Sequence, residues 1–292
     1  LGIILKDLGN LQEAELSTRK AIELKPDFAT AYSNLGSILI DLGNLKEAEL
    51  SQRKAIDINP NFAIAYFSLS TLQYSNKNTI WKDHLFSESI LKKQSSKDQI
   101  NIYFARANIL HQAKNYKESS RYLKLANKLK LDIHPSKPEI IFNKSQVLLI
   151  ESNKKEINQT EHRTYPENIF IVGMFRSGST LLESILSMNT TVNDLGEIDI
   201  LEESFLESKK IDQELTLAEE YCKRVKDLKK QSNITTNKNL FNYQYTGIIA
   251  KKIPNAKIIH CFRNPLDNIL SIFRAHFASG NEYSSSLVDS TK

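Results

Sequence analysis

An α-helical solenoid followed by an α/β domain built on a parallel sheet is the architecture that this 292-residue sequence predicts. Three observations carry it. The chain matches itself at a spacing of 34 residues near its start. After about Leu131 that match ends, and short apolar runs begin to alternate with helical patterns. One of those runs, Ile169 to Val172, enters a tight Gly-containing turn, "VGMFRSGST", and a helical pattern succeeds it at once.

The repeat is read directly. "LGIILKDLGNLQEAELSTRKAIELKPDFATAY" is followed by "LGSILIDLGNLKEAELSQRKAIDINPNFAIAY". Gly2 pairs with Gly36, Ala14 with Ala48, Ala21 with Ala55, Pro26 with Pro60 and Tyr32 with Tyr66. Small residues fall where two helices must approach closely, and proline closes the second helix of each pair. The units resemble the tetratricopeptide repeat. The third is irregular: Tyr66 and Tyr103 lie 37 residues apart, and its second helix, around Ile80 to Leu91, lacks the small-residue signature. "YFARANILHQAKNYKESSRYLKLANKLK" restores the pattern, with Ala107 in the place of Gly36 and Ala126 in that of Ala55. Four units are expected over residues 1–131, the first lacking its opening turn. Such an array either presents a face to a protein or peptide partner or merely scaffolds the second domain, and both readings stand.

Residues 132–166 read as a linker with a bridging helix from Glu139 to Ser152, followed by a polar loop. Residues 167–292 read as the second domain. Its expected elements are the strand at Ile169–Val172 and a helix from Gly178 to Met188 carrying apolar Leu181, Leu182, Ile185 and Leu186. A charged amphipathic helix over residues 211–230 comes next, then a short strand in "NITTNKN" and a helix in "LFNYQYTGIIAKKIP" ended by Pro254. A strand in "AKIIHCF" leads into a helix that takes Pro265 in its first turn.

In sheets of this kind, ligands sit beyond the carboxyl ends of strands. Against the phosphate-loop pattern G-x-x-x-x-G-K-[S/T], the turn fits at Gly173, Gly178 and Thr180, but Ser179 stands where the lysine belongs. Backbone N–H groups at the start of the helix favour an anion, and Ser177, Ser179 and Thr180 add hydroxyls. Arg176 supplies a cation from three positions before the missing lysine, in a fork suited to phosphate or sulfonate oxygens. At the next junction, "HCFRNPLDNILS", Arg263 comes after a strand and Ser271 lies eight residues on. Two anion sites at neighbouring strand ends fit a ligand with phosphates at two separated positions. No metal set is evident: a nucleotide hydrolase places a Mg²⁺-holding Asp after a second apolar strand, and here that strand runs into Arg263. Asp267 reads as a helix N-terminal acid.

These residues resemble a family. "VGMFRSGSTLLESIL" is similar to the 5′-phosphosulfate loop of sulfotransferases that use 3′-phosphoadenylyl sulfate, and "IIHCFRNPLDNILS" to their 3′-phosphate motif. The tyrosylprotein sulfotransferase-like group, whose bacterial members carry tetratricopeptide repeats, is the nearest resemblance, directly over residues 165–280. The resemblance implies that Arg176, Ser177, Gly178, Ser179, Thr180, Arg263 and Ser271 hold the donor. It implies Glu197, 21 residues beyond Arg176, as general base, and Arg176 and Lys238 as the cations facing the transferring group. Lys238 departs from the family segment in its neighbours: Asn237 replaces the acid, and Asn239 and Leu240 stand where a proline is expected. Glu183 is read as facing solvent, on the helix after the loop.

The function so implied is sulfuryl transfer from 3′-phosphoadenylyl sulfate to a hydroxyl, with protein tyrosine first among acceptors, no metal, and the repeats presenting a protein partner. The alternatives are an interaction module beside an inactive, C-terminally truncated sulfotransferase domain and, third, a P-loop kinase or nucleotidase. The net charge of +5 suits an anionic small molecule or acidic partner and does not argue for nucleic acid. No apolar run approaches the length of a membrane span, and a bacterial-type cytoplasmic location is expected. The chain starts inside a repeat and reads as a fragment. Cys222 and Cys261 read as buried free thiols, and the Asn-x-Ser/Thr triplets at Asn143 and Asn158 as chance occurrences.

Overall fold

The computed structural model describes residues 1–72, 80–92, 94–154, 166–210, 215–228, 234–277 and 280–291. They form two compact units. One comprises Leu1–Ser136 with His276–Ser286, and the other Lys137–Ala275 with Leu287–Lys292.

The first unit is the helical array: α1 (Gly2–Asp7), α2 (Leu11–Leu24), α3 (Ala29–Asp41), α4 (Leu45–Ile58), α5 (Ala63–Thr71), α6 (Ile80–Phe86), α7 (Ser96–Gln112) and α8 (Tyr116–Ile133). Most of the small residues singled out by the repeat are buried: Ala14, Ala48, Ala55, Ala107 and Ala126 lose essentially all exposure, while Gly2 and Ala21 of the first unit are half-buried. Burying these alanines lets paired helices close on each other without side-chain entropy cost. The irregular third unit has a physical reason. Its second helix is cut to α6 and a 3₁₀ turn at Ser89–Leu91, and Trp81, Leu85 and Ile90 fill the space. The carbonyls freed there are satisfied by the buried Arg106, which donates to Leu85 O and Ser87 O at 2.8 Å each. Residues 73–79 and 93 of this unit lie outside the described residues.

The segment His276–Ser286 completes this unit. The His276 ring stacks on Phe104 at 4.6 Å and meets Phe67 edge-on at 5.1 Å, and its Nε2 lies 3.1 Å from Asn101 Oδ1. Lys130 Nζ donates to Phe277 O at 2.9 Å. Burial, with the Lys130 charge alongside, pushes the His276 imidazole down to about 4.

The second unit is α/β. It runs α9 (Pro138–Asn153), β1 (Glu167–Gly173), α10 (Ser179–Leu186), β2 (Val192–Asp194), α11 (Ile200–Glu207), α12 (Leu217–Asp227), β3 (Ile234–Asn237), a 3₁₀ segment (Leu240–Tyr245), α13 (Thr246–Lys252), β4 (Ala256–Cys261) and α14 (Pro265–Arg274). The strands pair in parallel in the order β2–β3–β1–β4. Phe170, Ile171 and Val172 of β1 are buried, as the continuous apolar run requires. Phe170 and Val172 pack with Leu201, Phe205, Tyr221, Tyr245, Ile248 and Ile249. The expected bridging helix is α9, and its Leu148 joins this core.

Several expectations need correction. The helix at 211–230 is the shorter α12, started by a Thr216/Glu219 capping box, with residues 211–214 and 229–233 outside the described residues. The single helix expected before Pro254 is a 3₁₀ segment, capped by Asn239 accepting from Phe241 N–H, followed by α13. β2 and α11 have no counterpart among the elements expected from sequence. Both cysteines are free but half-buried rather than buried, and burial raises both thiols. The polar loop before β1 and Asn158 lie outside the described residues.

Candidate active site

The first site forms where β1 ends. Gly173 has φ +142° and pairs with Cys261 of β4, and a Cβ there would strike the Cys261 carbonyl oxygen. The loop then turns through Arg176, a non-glycine residue at φ +67°, and Gly178 at φ +98°, which sits at the N-cap of α10. Positive φ at an arginine is uncommon and gathers at functional loops. Arg176, Ser177, Gly178, Ser179, Thr180 and Arg263 line an open hollow of about 440 Å³. Ser177 Oγ is buried and lacks a hydrogen-bond partner. A partnerless hydroxyl beside two guanidinium groups and a helix N-terminus would be satisfied by an anion.

β4 and α14 supply the other side. The Asn264 side chain caps α14 by accepting from Leu266 and Asp267 N–H, and Asn268 Nδ2 donates to Phe175 O at 2.8 Å, tying α14 to the loop. Arg263 Nη1 donates to Arg176 O, and Arg176 Nε donates to Ser271 Oγ, each at 3.3 Å. The structure therefore gathers Arg176, Arg263 and Ser271 into one cluster. The sequence pairs Ser271 with Arg263 by proximity; in the fold it is Arg176 that holds it.

A second cluster lies beyond β3. The parallel pairing of β2 with β3 continues past both strands: Leu195 N–H donates to Thr236 O at 2.8 Å and Lys238 N–H to Gly196 O at 2.9 Å. That ladder sets Lys238 against Glu197, and the two form an ion pair. Lys238 Nζ also lies 3.4 Å from Thr180 Oγ1, at the head of α10. The Lys238 side chain is 6% exposed and that of Glu197 56%, so the cation is anchored in the fold while the carboxylate faces solvent. Asn237, where the family segment carries an acid, has its own partners: its Oδ1 accepts from Asn242 Nδ2 at 3.0 Å and Asn239 N–H at 3.1 Å.

Glu183 does not face solvent as expected. It is buried at 6% exposure and accepts from Thr236 Oγ1 at 2.9 Å. Burial raises its carboxyl above the usual range, opposed by the Thr236 hydrogen bond and the nearby Lys238 charge. Leu181 and Ile185 point outward instead, at 67% and 55% exposed. The helix turns this way because the sheet end offers hydrogen-bond donors, not an apolar surface. Among the described residues no group of His, Cys, Asp and Glu is arranged to hold a metal, and no helix is long and apolar enough to cross a membrane.

This arrangement is that of a sulfotransferase-type domain following a helical repeat array. Residues 166–292 match the family described as "Sulfotransferase family". Residues 1–28, 29–62 and 100–133 match the tetratricopeptide repeat, leaving the irregular third unit unmatched. A sulfotransferase-family domain and tetratricopeptide repeats are both present. An uncharacterized protein of Aquifex aeolicus (strain VF5) is 28% identical over an alignment of 202 residues that covers 60% of this chain and 26% of that relative. The match thus spans about a quarter of the relative's length.

Proposed function

We propose that this chain transfers a sulfuryl group from 3′-phosphoadenylyl sulfate to a hydroxyl acceptor, with protein tyrosine first among acceptors. The observation that carries the reading is the meeting of the Lys238–Glu197 pair with the anion loop at Thr180. An acid–base pair and an anion cradle then share one edge of the sheet. The donor suits the residues: the hollow offers the orphan Ser177 hydroxyl, two arginines and the α10 N-terminus. Arg263 and Ser271 would hold the 3′-phosphate, and Arg176 with Ser177, Gly178, Ser179 and Thr180 the 5′-phosphosulfate. When bound, the donor supplies a sulfuryl group on a phosphate leaving group.

The roles of the chain's own groups accord with their exposure. Glu197 faces solvent, where an acceptor hydroxyl can reach it, and takes the proton as that oxygen bonds to sulfur. Lys238, fixed by burial, stands against the negative charge left on the 5′-phosphate oxygen as its bond to sulfur breaks. Arg176 adds a second cation. The repeats point to a protein partner, and a tyrosine-bearing peptide is the acceptor this combination favours.

The test uses the full chain and 3′-phosphoadenosine 5′-phosphate. At a hundredfold excess over Kd, that nucleotide stabilises its unit by about 2.7 kcal/mol, read as a raised Tm. ATP with Mg²⁺ raises it much less. Arg176→Ala removes the shift, whereas Glu197→Gln keeps it and loses transfer of label from radioactive donor to tyrosyl peptides. Equal shifts with both nucleotides would favour a kinase, and loss of binding in Glu197→Gln counts against its role as base. A second reading, an interaction module without turnover, rests on the repeats; it predicts partner capture by a chain that transfers nothing.

A further inference from the structure

Glu183 is a buried acid that the proposed chemistry does not use. It lies on α10, one turn beyond Thr180 and pointing into the sheet end. Oε1 accepts from Thr236 Oγ1 at 2.9 Å in a buried bond. Thr236 is two residues before Lys238, and its carbonyl accepts from the N–H of Leu195, two residues before Glu197. Glu183 therefore holds the segment that delivers Lys238 directly, and the one that delivers Glu197 through Thr236. The ladder bonds Leu195 N–H to Thr236 O and Lys238 N–H to Gly196 O hold the segments to one another. Neither of those bonds holds them to the anion loop. Glu183 does, because it sits on the helix that the loop opens.

We propose that Glu183 is a positioning residue: its buried carboxylate ties the end of β3 to α10, and with it the laddered segment after β2, so that Glu197 and Lys238 meet at the mouth of the anion loop. The assignment rests on the sulfotransferase reading for the chemistry of the pair, but the grip itself is independent of it. An apolar side chain would fill the same volume more cheaply, since a buried carboxylate must be compensated by hydrogen bonds. The compensation found here, a hydroxyl from the segment that delivers Lys238, is the kind that a positioning role requires.

Two variants of the full chain decide it. Glu183→Leu removes the acceptor of the Thr236 bond, and Glu183→Gln keeps a carbonyl oxygen for it. Hydrogen exchange followed by mass spectrometry reads peptides that cover Val192 to Ile198. Exchange there is expected to rise at least tenfold in Glu183→Leu and to stay within about threefold in Glu183→Gln. In transfer to a pool of tyrosyl peptides, Glu183→Leu is expected to lower kcat about a hundredfold and Glu183→Gln about tenfold. Affinity for 3′-phosphoadenosine 5′-phosphate should stay within threefold in both. Unchanged exchange in Glu183→Leu overturns the grip. A parallel loss of kcat and nucleotide affinity in both variants overturns it too, because a general structural role acts that way. Should the unaltered chain transfer nothing, the sulfotransferase reading fails by itself, and the exchange arm still decides whether Glu183 holds the two segments.

Discussion

Gly173→Ala is expected to be the most damaging single-methyl addition at the anion site. The residue ends β1 at φ +142°, a conformation that an L side chain rarely adopts. Holding alanine there costs about 1–3 kcal/mol of backbone strain. The added Cβ would also lie more than half an ångström inside 3.0 Å of the Cys261 carbonyl oxygen, closer than real Cβ atoms come. The atom it meets is backbone in the paired strand β4, so it cannot swing aside, and forcing β1 and β4 apart adds about 1–3 kcal/mol. Together these amount to about 4 kcal/mol, or a fall in Tm of about 10–15 °C for a domain of this size. Gly178→Ala is the control. Its φ of +98° carries strain, but nothing lies within 4 Å of its Cβ position, so about 1–2 kcal/mol is expected. Calorimetry of both variants checks the difference. Arg263 lies two residues beyond Cys261, so Gly173→Ala should weaken 3′-phosphoadenosine 5′-phosphate as well. If the two alanines lower Tm equally, the clash with Cys261 is not the reason for glycine at 173.

Other expectations concern side chains. Lys238→Met should lower transfer by about 10²–10³-fold while changing stability little, since Glu197 is open to water and rehydrates; kcat measured beside Tm checks both. His276 gives a pH dependence to the repeat-containing unit. Its imidazole titrates near 4 when folded against 6.5 ordinarily, so between those values the unfolded chain binds more protons. Stability should therefore fall as pH drops from 6.5 toward 4, by up to about 3 kcal/mol, and level off below. His276→Gln should flatten that slope in urea unfolding. The Lys130 ammonium facing the ring accentuates the effect, and Glu282 favours the Lys130 charge.

Much of this fold is legible in the sequence because its signals are periodic or local. The spacing of 34 marks the repeats, and the apolar run ending at Gly173 marks a buried strand. Glu197 and Lys238 are legible only through resemblance to a family, and the structure shows why spacing cannot find them. Their meeting is made by backbone bonds between the segments after β2 and β3, which lie some 40 residues apart. β2 escapes a reading of pattern because Val192–Asp194 is three residues long with one apolar side chain. Glu183 is misplaced by pattern because a helix in isolation shows Leu181 and Ile185 as its apolar face. Only the donor waiting at Thr236 reveals that an acid belongs inside.

The return of His276–Ser286 to the helical array has a consequence for how the chain can be divided. Each unit is assembled from two stretches of sequence, so no single cut releases either one whole. A fragment ending at Ser136 would expose Phe67 and Phe104, whose partner His276 arrives from 140 residues later. An unrelated repeat array could not simply be spliced in front of residue 137, because it would have to offer the same aromatic seat and the Asn101 and Lys130 contacts. Changes in the helices that seat His276 are thus tied to changes in the segment His276–Ser286.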